Sequence, residues 1–229
     1  MKIGKVSLTI LMLGLLSVSP GFGEDLRGEW EKIFESQGII GYVRARQETN
    51  INEIKAIGTV DAPVAVLEAV LRDDGARKDY AEGCIEAFRV DIQGYENTKD
   101  RFCAYHKVDL PWPFYDRDSV GRIEFMFDET TGALLMQARA VSTDFRPDEY
   151  AVRVPIAWAK WELIPIGENK TEVLYQVLAD PGGYVPAFLV NMFSQELAVY
   201  TIAGVREIVK KDKYKNAKSI VTKTPWIRR

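Results

Sequence analysis

Histidine and cysteine are scarce in this chain, with one His and two Cys among 229 residues. That is too few soft ligands for a Cys/His zinc site. Nucleophilic chemistry is thinly provided for as well: there is no Gly-x-Ser-x-Gly elbow and no His-Glu-x-x-His helix. A basic excess is missing too. Lys plus Arg number 30 against 33 Asp plus Glu, a net charge of −3, so the electrostatic footprint of a nucleic-acid binder is absent. No repeat of roughly 20–50 residues and no low-complexity linker interrupts the sequence. With 47% hydrophobic and 28% charged residues, the composition is that of a globular chain, and its length suits one large domain.

The amino terminus reads as an address. Lys2 and Lys5 precede an apolar run from Val6 to Val18, 13 residues against the roughly 20 needed to cross a bilayer. Gly21 and Gly23 then place small residues at the −3 and −1 positions of a cleavage site before Glu24. This is the layout of a secretory signal peptide, with an uncleaved anchor as the alternative. Cleavage leaves 229 − 23 = 206 residues and moves the charge to −3 − 2 = −5. The expected destination is periplasmic or secreted. Such a compartment permits a Cys84–Cys103 disulfide. The expected hairpin register, with a turn near Asn97 to Asp100, sets the two cysteines too far apart for one.

Along the rest of the chain, residues 24–34 carry Leu26, Trp30, Ile33 and Phe34 at helical spacing and predict a short amphipathic helix. Strands are predicted over 38–49 and 54–60. A helix follows over 63–72, opened by Asp61 as cap and Pro63 in the first turn. A second short helix ends near Ala81. From Cys84 the pattern turns extended: 85–92, 101–109, 119–127, 133–142, 151–163 and 171–178 are rich in β-branched and aromatic residues and separated by turn clusters. Short links of this kind make an antiparallel meander. After Asp180-Pro181-Gly182-Gly183, residues 185–211 form one long helix, apolar over more than one face, which a broad curved sheet would have to enclose. The division is a leader over 1–23, one α+β domain over 24–214 and a basic, solvated tail over 215–229.

Several motifs then fall in order. Leu110 to Val120 reads Leu-Pro-Trp-Pro-Phe-Tyr-Asp-Arg-Asp-Ser-Val. Trp161-Glu-Leu-Ile-Pro165, Lys170-Thr171, Asp180-Pro-Gly-Gly-Tyr-Val-Pro186 and Asn191 follow. Together they resemble the START family, the StAR-related lipid-transfer domains, in its bacterial form. The resemblance implies a helix-grip fold, a curved antiparallel sheet wrapped around the C-terminal helix with one lipid in a tunnel between them. Some family members hold a buried acid–arginine pair there, the arginine on the strand after Asp-Arg-Asp. Ile123 occupies that position here, and Arg122 is one residue out of phase, so that anchor is missing or replaced.

Strand alternation selects candidate ligand contacts. Phe102, Ala104 and His106 share the more apolar face of their strand, and Ile123 and Phe125 that of theirs. His106 is the titratable group pointing inward; it either anchors a lipid hydroxyl or carbonyl, or is a satisfied core histidine. Trp112 and Phe114, in a loop stiffened by Pro111 and Pro113, either cap the tunnel, touch a membrane or pack as a connection. Phe188, Met192 and Phe193 on the long helix are lid and lining candidates. Asp116-Arg117-Asp118 is expected to fix its loop through charge-assisted hydrogen bonds. The expected activity is non-enzymatic binding and transfer of a hydrophobic molecule such as a phospholipid, fatty acid, isoprenoid or sterol-like compound. The chain is expected to act as a monomer, with no cofactor, no metal, no nucleic acid and transient membrane contact. A cyclase- or hydrolase-like enzyme and a ligand-free interaction module are the alternatives.

Overall fold

The computed structural model describes residues 28–46 and 50–222, with the side chains of residues 156 and 192–196 outside the description. The leader and the end of the basic tail therefore lie outside the described residues. Ten strands form one curved sheet: β1 (Glu31–Ser36), β2 (Ile39–Arg44), β3 (Glu53–Val60), β4 (Cys84–Val90), β5 (Arg101–Val108), β6 (Asp116–Phe127), β7 (Leu134–Ala140), β8 (Ala151–Arg153), β9 (Ile156–Gly167) and β10 (Lys170–Asp180). The order across it is β1-β2-β3-β10-β9-β7-β6-β5-β4, antiparallel throughout, and the short β8 pairs in parallel with the start of β6. The α-helices among the described residues are α1 (Val64–Arg72), α2 (Arg77–Tyr80) and α3 (Ala187–Ile208). Among the described residues no helix is long and apolar enough to cross a membrane. The architecture is the expected α+β one, with the sheet wrapped on the terminal helix.

Four expectations are corrected. Residues 31–36 are the edge strand β1 and not part of a helix. The adjacent pair Ile33-Phe34 imitates helical spacing, but a bulge between Lys32 and Phe34 absorbs it, and the Phe34 ring lies flat over Gly41 of β2. A two-residue turn at Gln37 and Gly38, with φ of 53° and 67°, closes this hairpin in the sense that matches strand twist. Second, Asp61 does not cap α1. Pro63 holds the cap position without a side-chain bond, and the preceding carbonyl of Ala62 accepts the buried Thr171 hydroxyl at 2.7 Å. Third, the strand predicted over 151–163 is two strands, interrupted at Pro155, which has no N–H for the ladder. Fourth, β6 begins at Asp116, so the Asp-Arg-Asp run lies inside a strand.

The tail also departs from expectation where it is described. The Ser219 hydroxyl and Ile220 amide reach Glu68, and the Thr222 amide bonds Asp100. It straps α1 and the β4–β5 turn where a free end was expected.

Both cysteines are free. Cys103 packs with Val90, Tyr105 and Val120 on the outer face, while Cys84 turns inward. Opposite faces of one sheet leave no geometry for a bridge.

The main core lies between the sheet and the C-terminal half of α3. Ala198, Ile202, Val205 and Ile208, at 3–4 spacing, are buried against Ile39, Leu67 and Tyr80. Gly204 is what permits this closeness: a Cβ there would stand 2.8 Å from the backbone of Tyr80 in α2. Arg206 fastens the same end by donating to the carbonyls of Thr59 and Gln37.

Candidate functional site

The inward faces of the central strands are graded in size. On β6 the inward residues run Phe125, Ile123, Gly121, Ser119; on β7, Met136, Ala138, Ala140; on β9, Trp161, Ala159, Ala157. Register aligns the large with the large, as in Phe125↔Met136↔Trp161↔Tyr175, and the small with the small, as in Ala138↔Ala159↔Val177. Where the residues are large, they pack into the core beneath α1 and α2 and fill the space, as Trp161 does against Tyr80 and Phe125 under Arg72. Where they are small, the sheet and the N-terminal half of α3 are held apart by their flanking contacts and a cavity of about 310 Å³ remains. Val190, Leu197 and Thr201 form its helical side. That volume lies at the lower end of the range of about 300–1,000 Å³ typical of small-molecule sites.

Few polar groups reach this cavity. Arg77 enters from α2, His106 and Ser119 face one another across β5 and β6, and Tyr175 and Thr201 close the opposite side. Among the described residues no carboxylate lies at ion-pair distance from Arg77; burial lowers its pKa, but Tyr80, with which it shares a hydrogen bond, Tyr175, Cys84 and Asp74 outweigh burial and raise it. Burial pushes both phenols up, Tyr175 to about 12, and the arginine's charge partly offsets the effect. His106 is buried, and its Nε2 has no hydrogen-bond partner. Burial, and then the charge of Arg77, hold its pKa well below 6.5, so the imidazole is neutral near pH 7. The wall is therefore mostly apolar, with one guanidinium held by phenols and one neutral imidazole whose Nε2 lacks a partner. Arg117 and Arg139 add positive charge to the rim against Glu82 alone.

Of the residues expected to touch a ligand, His106 lies on this wall. Phe102, Ala104, Ile123 and Phe125 are inward-facing as predicted but packed into the solid core, because choosing the most apolar face selects the bulky residues that fill space. Trp112, at 92% exposure, and Phe188, at 70%, stand in solvent, as do Tyr115 and Tyr184; Phe114 is half-buried. The side chains of Met192 and Phe193 lie outside the described residues. Arg122 does face outward, beside Cys103 and Tyr95. Asp116 and Asp118 hold Lys107 and Arg153 through ion pairs. Gly182 and Gly183 take the positive φ values of 64° and 66° that their loop needs, and Pro186 caps α3. Asn191 clasps the β2–β3 turn, accepting from the Asn52 amide and donating to the Asn50 carbonyl.

Sequence reasoning missed Arg77. Its segment, Asp-Gly-Ala-Arg-Lys-Asp-Tyr, has the composition of a solvated turn, and the packing of Tyr80 against α3 and Trp161 is what turns the arginine inward. The graded small residues were legible: applying the same alternation to size, where only hydrophobicity had been read, marks Ser119, Gly121, Ala138, Ala140, Ala157 and Ala159.

No family model matches the chain. An uncharacterized protein of Pseudomonas aeruginosa is 27% identical over 209 residues, 91% of this chain and 98% of its own length. Bovine phosphatidylcholine transfer protein is 24% identical over 166 residues, 71% of this chain and 75% of its own. The crystal structure of a STAR-related lipid transfer protein from Xanthomonas axonopodis superposes with a TM-score of 0.71 at 25% identity, covering 80% of this chain and 99% of that one. The chain has the START helix-grip fold, as its motifs implied, and it resembles proteins named for lipid transfer.

Proposed function

We propose that this protein is a non-enzymatic carrier of a lipid with an anionic head, its apolar part in the cavity and its head against Arg77 and His106. The observation that carries this reading is the guanidinium of Arg77, with no carboxylate at ion-pair distance among the described residues, beside the unpartnered Nε2 of His106 in a mostly apolar wall. A phosphate or carboxylate oxygen offers the guanidinium a stronger charge-assisted bond than its phenol neighbours do. Energetics favour a filled chamber. At the coefficient for core cavities, a dry void of this size costs on the order of 7 kcal/mol, half or more of the roughly 5–15 kcal/mol of a whole domain.

In this reading Ser119 and Thr201 orient the head, and Phe102, Ala104, Ile123 and Phe125 form the rigid floor behind the cavity. The exposed aromatics Trp112, Tyr115, Tyr184 and Phe188 touch the bilayer during transfer, since Trp and Tyr favour the membrane interface. Phe114 steadies their loop. The basic, apolar and small-residue layout of residues 1–23 supports export, and the carrier acts as a monomer.

Native mass spectrometry of gently extracted protein, followed by identification of the released lipid, tests the reading. One lipid per chain with a phosphate or carboxylate head is expected. Protein at its bare mass, or loaded only with neutral lipid, would count decisively against it.

A further inference from the structure

The Asp-Arg-Asp run at the start of β6 alternates across the sheet. Asp116 and Asp118 face outward, to Lys107 at 3.2 Å and Arg153 at 2.7 Å. Arg117 faces the other way, onto the cavity wall, and is 6% exposed. Its Nε donates to the Pro181 carbonyl at 2.6 Å and its Nη2 to the Gly182 carbonyl at 3.1 Å. Nη1 donates to the Tyr115 carbonyl at 2.6 Å and, at 3.3 Å, to that of Asp116. All four acceptors are neutral, and among the described residues no carboxylate pairs with this guanidinium.

One buried cation thus cross-ties two segments that share nothing else in sequence. The first is the loop bearing Trp112 and Tyr115; the second is the Pro181–Gly183 link, whose next residue is the fully exposed Tyr184. Leu110 and Pro181, one from each segment, line the cavity. Opening the mouth between them requires Arg117 to give up its carbonyls on one side. A structural arginine is usually neutralised by a carboxylate, which would lock these loops; here only weaker acceptors hold it. A planar fork of N–H donors binds an anionic phosphate or carboxylate more strongly than it binds carbonyls.

We infer that Arg117 is the latch of the cavity mouth, and that the anionic headgroups of a lipid surface release it by replacing its carbonyl partners. The inference rests on the carrier reading and sharpens it, because it makes loading and unloading depend on the charge of the membrane. Trp112, Tyr115 and Tyr184 bring the mouth to the interface, and the anions there undo the tie that closes it.

The test uses full-length protein loaded with pyrene-labelled phosphatidylglycerol, and follows transfer to excess acceptor vesicles by stopped-flow fluorescence. Acceptors are phosphatidylglycerol vesicles, phosphatidylcholine vesicles, and phosphatidylcholine vesicles with added inorganic phosphate. For the wild type, transfer to phosphatidylglycerol is expected to be roughly tenfold faster than to phosphatidylcholine, the scale of exchanging a neutral carbonyl acceptor for an anionic one. Inorganic phosphate should leave the phosphatidylcholine rate unchanged; acceleration equal to that by phosphatidylglycerol would overturn the assignment to a lipid surface.

Arg117→Gln separates a latch from simple electrostatic attraction. A lost latch speeds transfer to phosphatidylcholine, so the two vesicle rates converge at the fast value. Lost attraction alone slows transfer to phosphatidylglycerol and leaves phosphatidylcholine untouched, and that result would overturn the inference. Arg117→Lys keeps the charge without the fork and carries the same test if the glutamine variant does not fold: its phosphatidylcholine rate should rise, and an unchanged rate would contradict the latch. A wild type that loads lipid but transfers equally fast to both vesicles overturns the latch and spares the carrier reading. A wild type that loads no lipid overturns both.

Discussion

The two halves of α3 are packed by opposite rules. Its C-terminal half is pressed against the sheet and α2 so closely that Gly204 has no room for a methyl group, and core residues of β2, β3 and β10 such as Ile39 pack against it. Its N-terminal half faces a wall of Ala, Gly and Ser, with a void between and Phe188 turned to solvent. Rigidity and room are thus assigned to different ends of one helix. The solid end fixes the position of the helix, and the fixed helix keeps the other end from collapsing into the cavity. Stability and ligand capacity should therefore respond to different substitutions.

Gly204→Val tests the solid end and should have the largest effect. Overpacking against the Tyr80 backbone is expected to cost about 3 kcal/mol, read as a lowered urea midpoint with the slope unchanged. A variant as stable as the wild type would show that α2 and α3 are not in that contact.

The polar border of the cavity gives the next effect. The folded-state pKa of His106 is held below its ordinary 6.5, so the unfolded chain binds the proton first as pH falls. The stabilising contribution is complete above about 6.5 and is lost as pH drops from there toward the folded-state value, by up to about 1.4 kcal/mol per pH unit. Thermal unfolding of the wild type between pH 7 and 5 should show this slope, and His106→Gln should flatten it. Equal slopes would mean that the imidazole is protonated in the folded protein.

Filling the open end should have the smallest effect on stability. Ala138→Trp places a large side chain in existing space, and the ligand-free protein is expected to change by about 1 kcal/mol or less. Retention of co-purified lipid should nonetheless be lost. Destabilisation as large as that of Gly204→Val would erase the distinction between the two ends.

Much of this contrast can be read from the sequence, though not all. The strands from β3 onward were legible because each alternates inside and outside residues and ends in a turn cluster, and the Asp180–Pro186 motif marked the break before α3. β1 was not, because a bulge disguised its two adjacent apolar residues as helical spacing. The cavity was visible in principle at Ser119-x-Gly121, Ala138-x-Ala140 and Ala157-x-Ala159. Reading hydrophobicity pointed instead to Phe102 and Phe125, which are packed in the core. Arg77 had no local signature at all. Its direction is decided by tertiary contacts of Tyr80 with residues far away in the chain, a kind of information that neither propensity nor periodicity holds.

The account turns on an anion-seeking head site at Arg77, and a paired binding measurement probes it most directly. A fluorescent fatty acid and its methyl ester differ only in the charge of the head, and each can be titrated into lipid-stripped wild type and Arg77→Met. The wild type is predicted to bind the acid roughly tenfold more tightly than the ester, the scale of one charge-assisted contact, and the variant to bind both alike. A preference for the acid that survives in Arg77→Met, or a wild type that binds neither probe, would contradict the account.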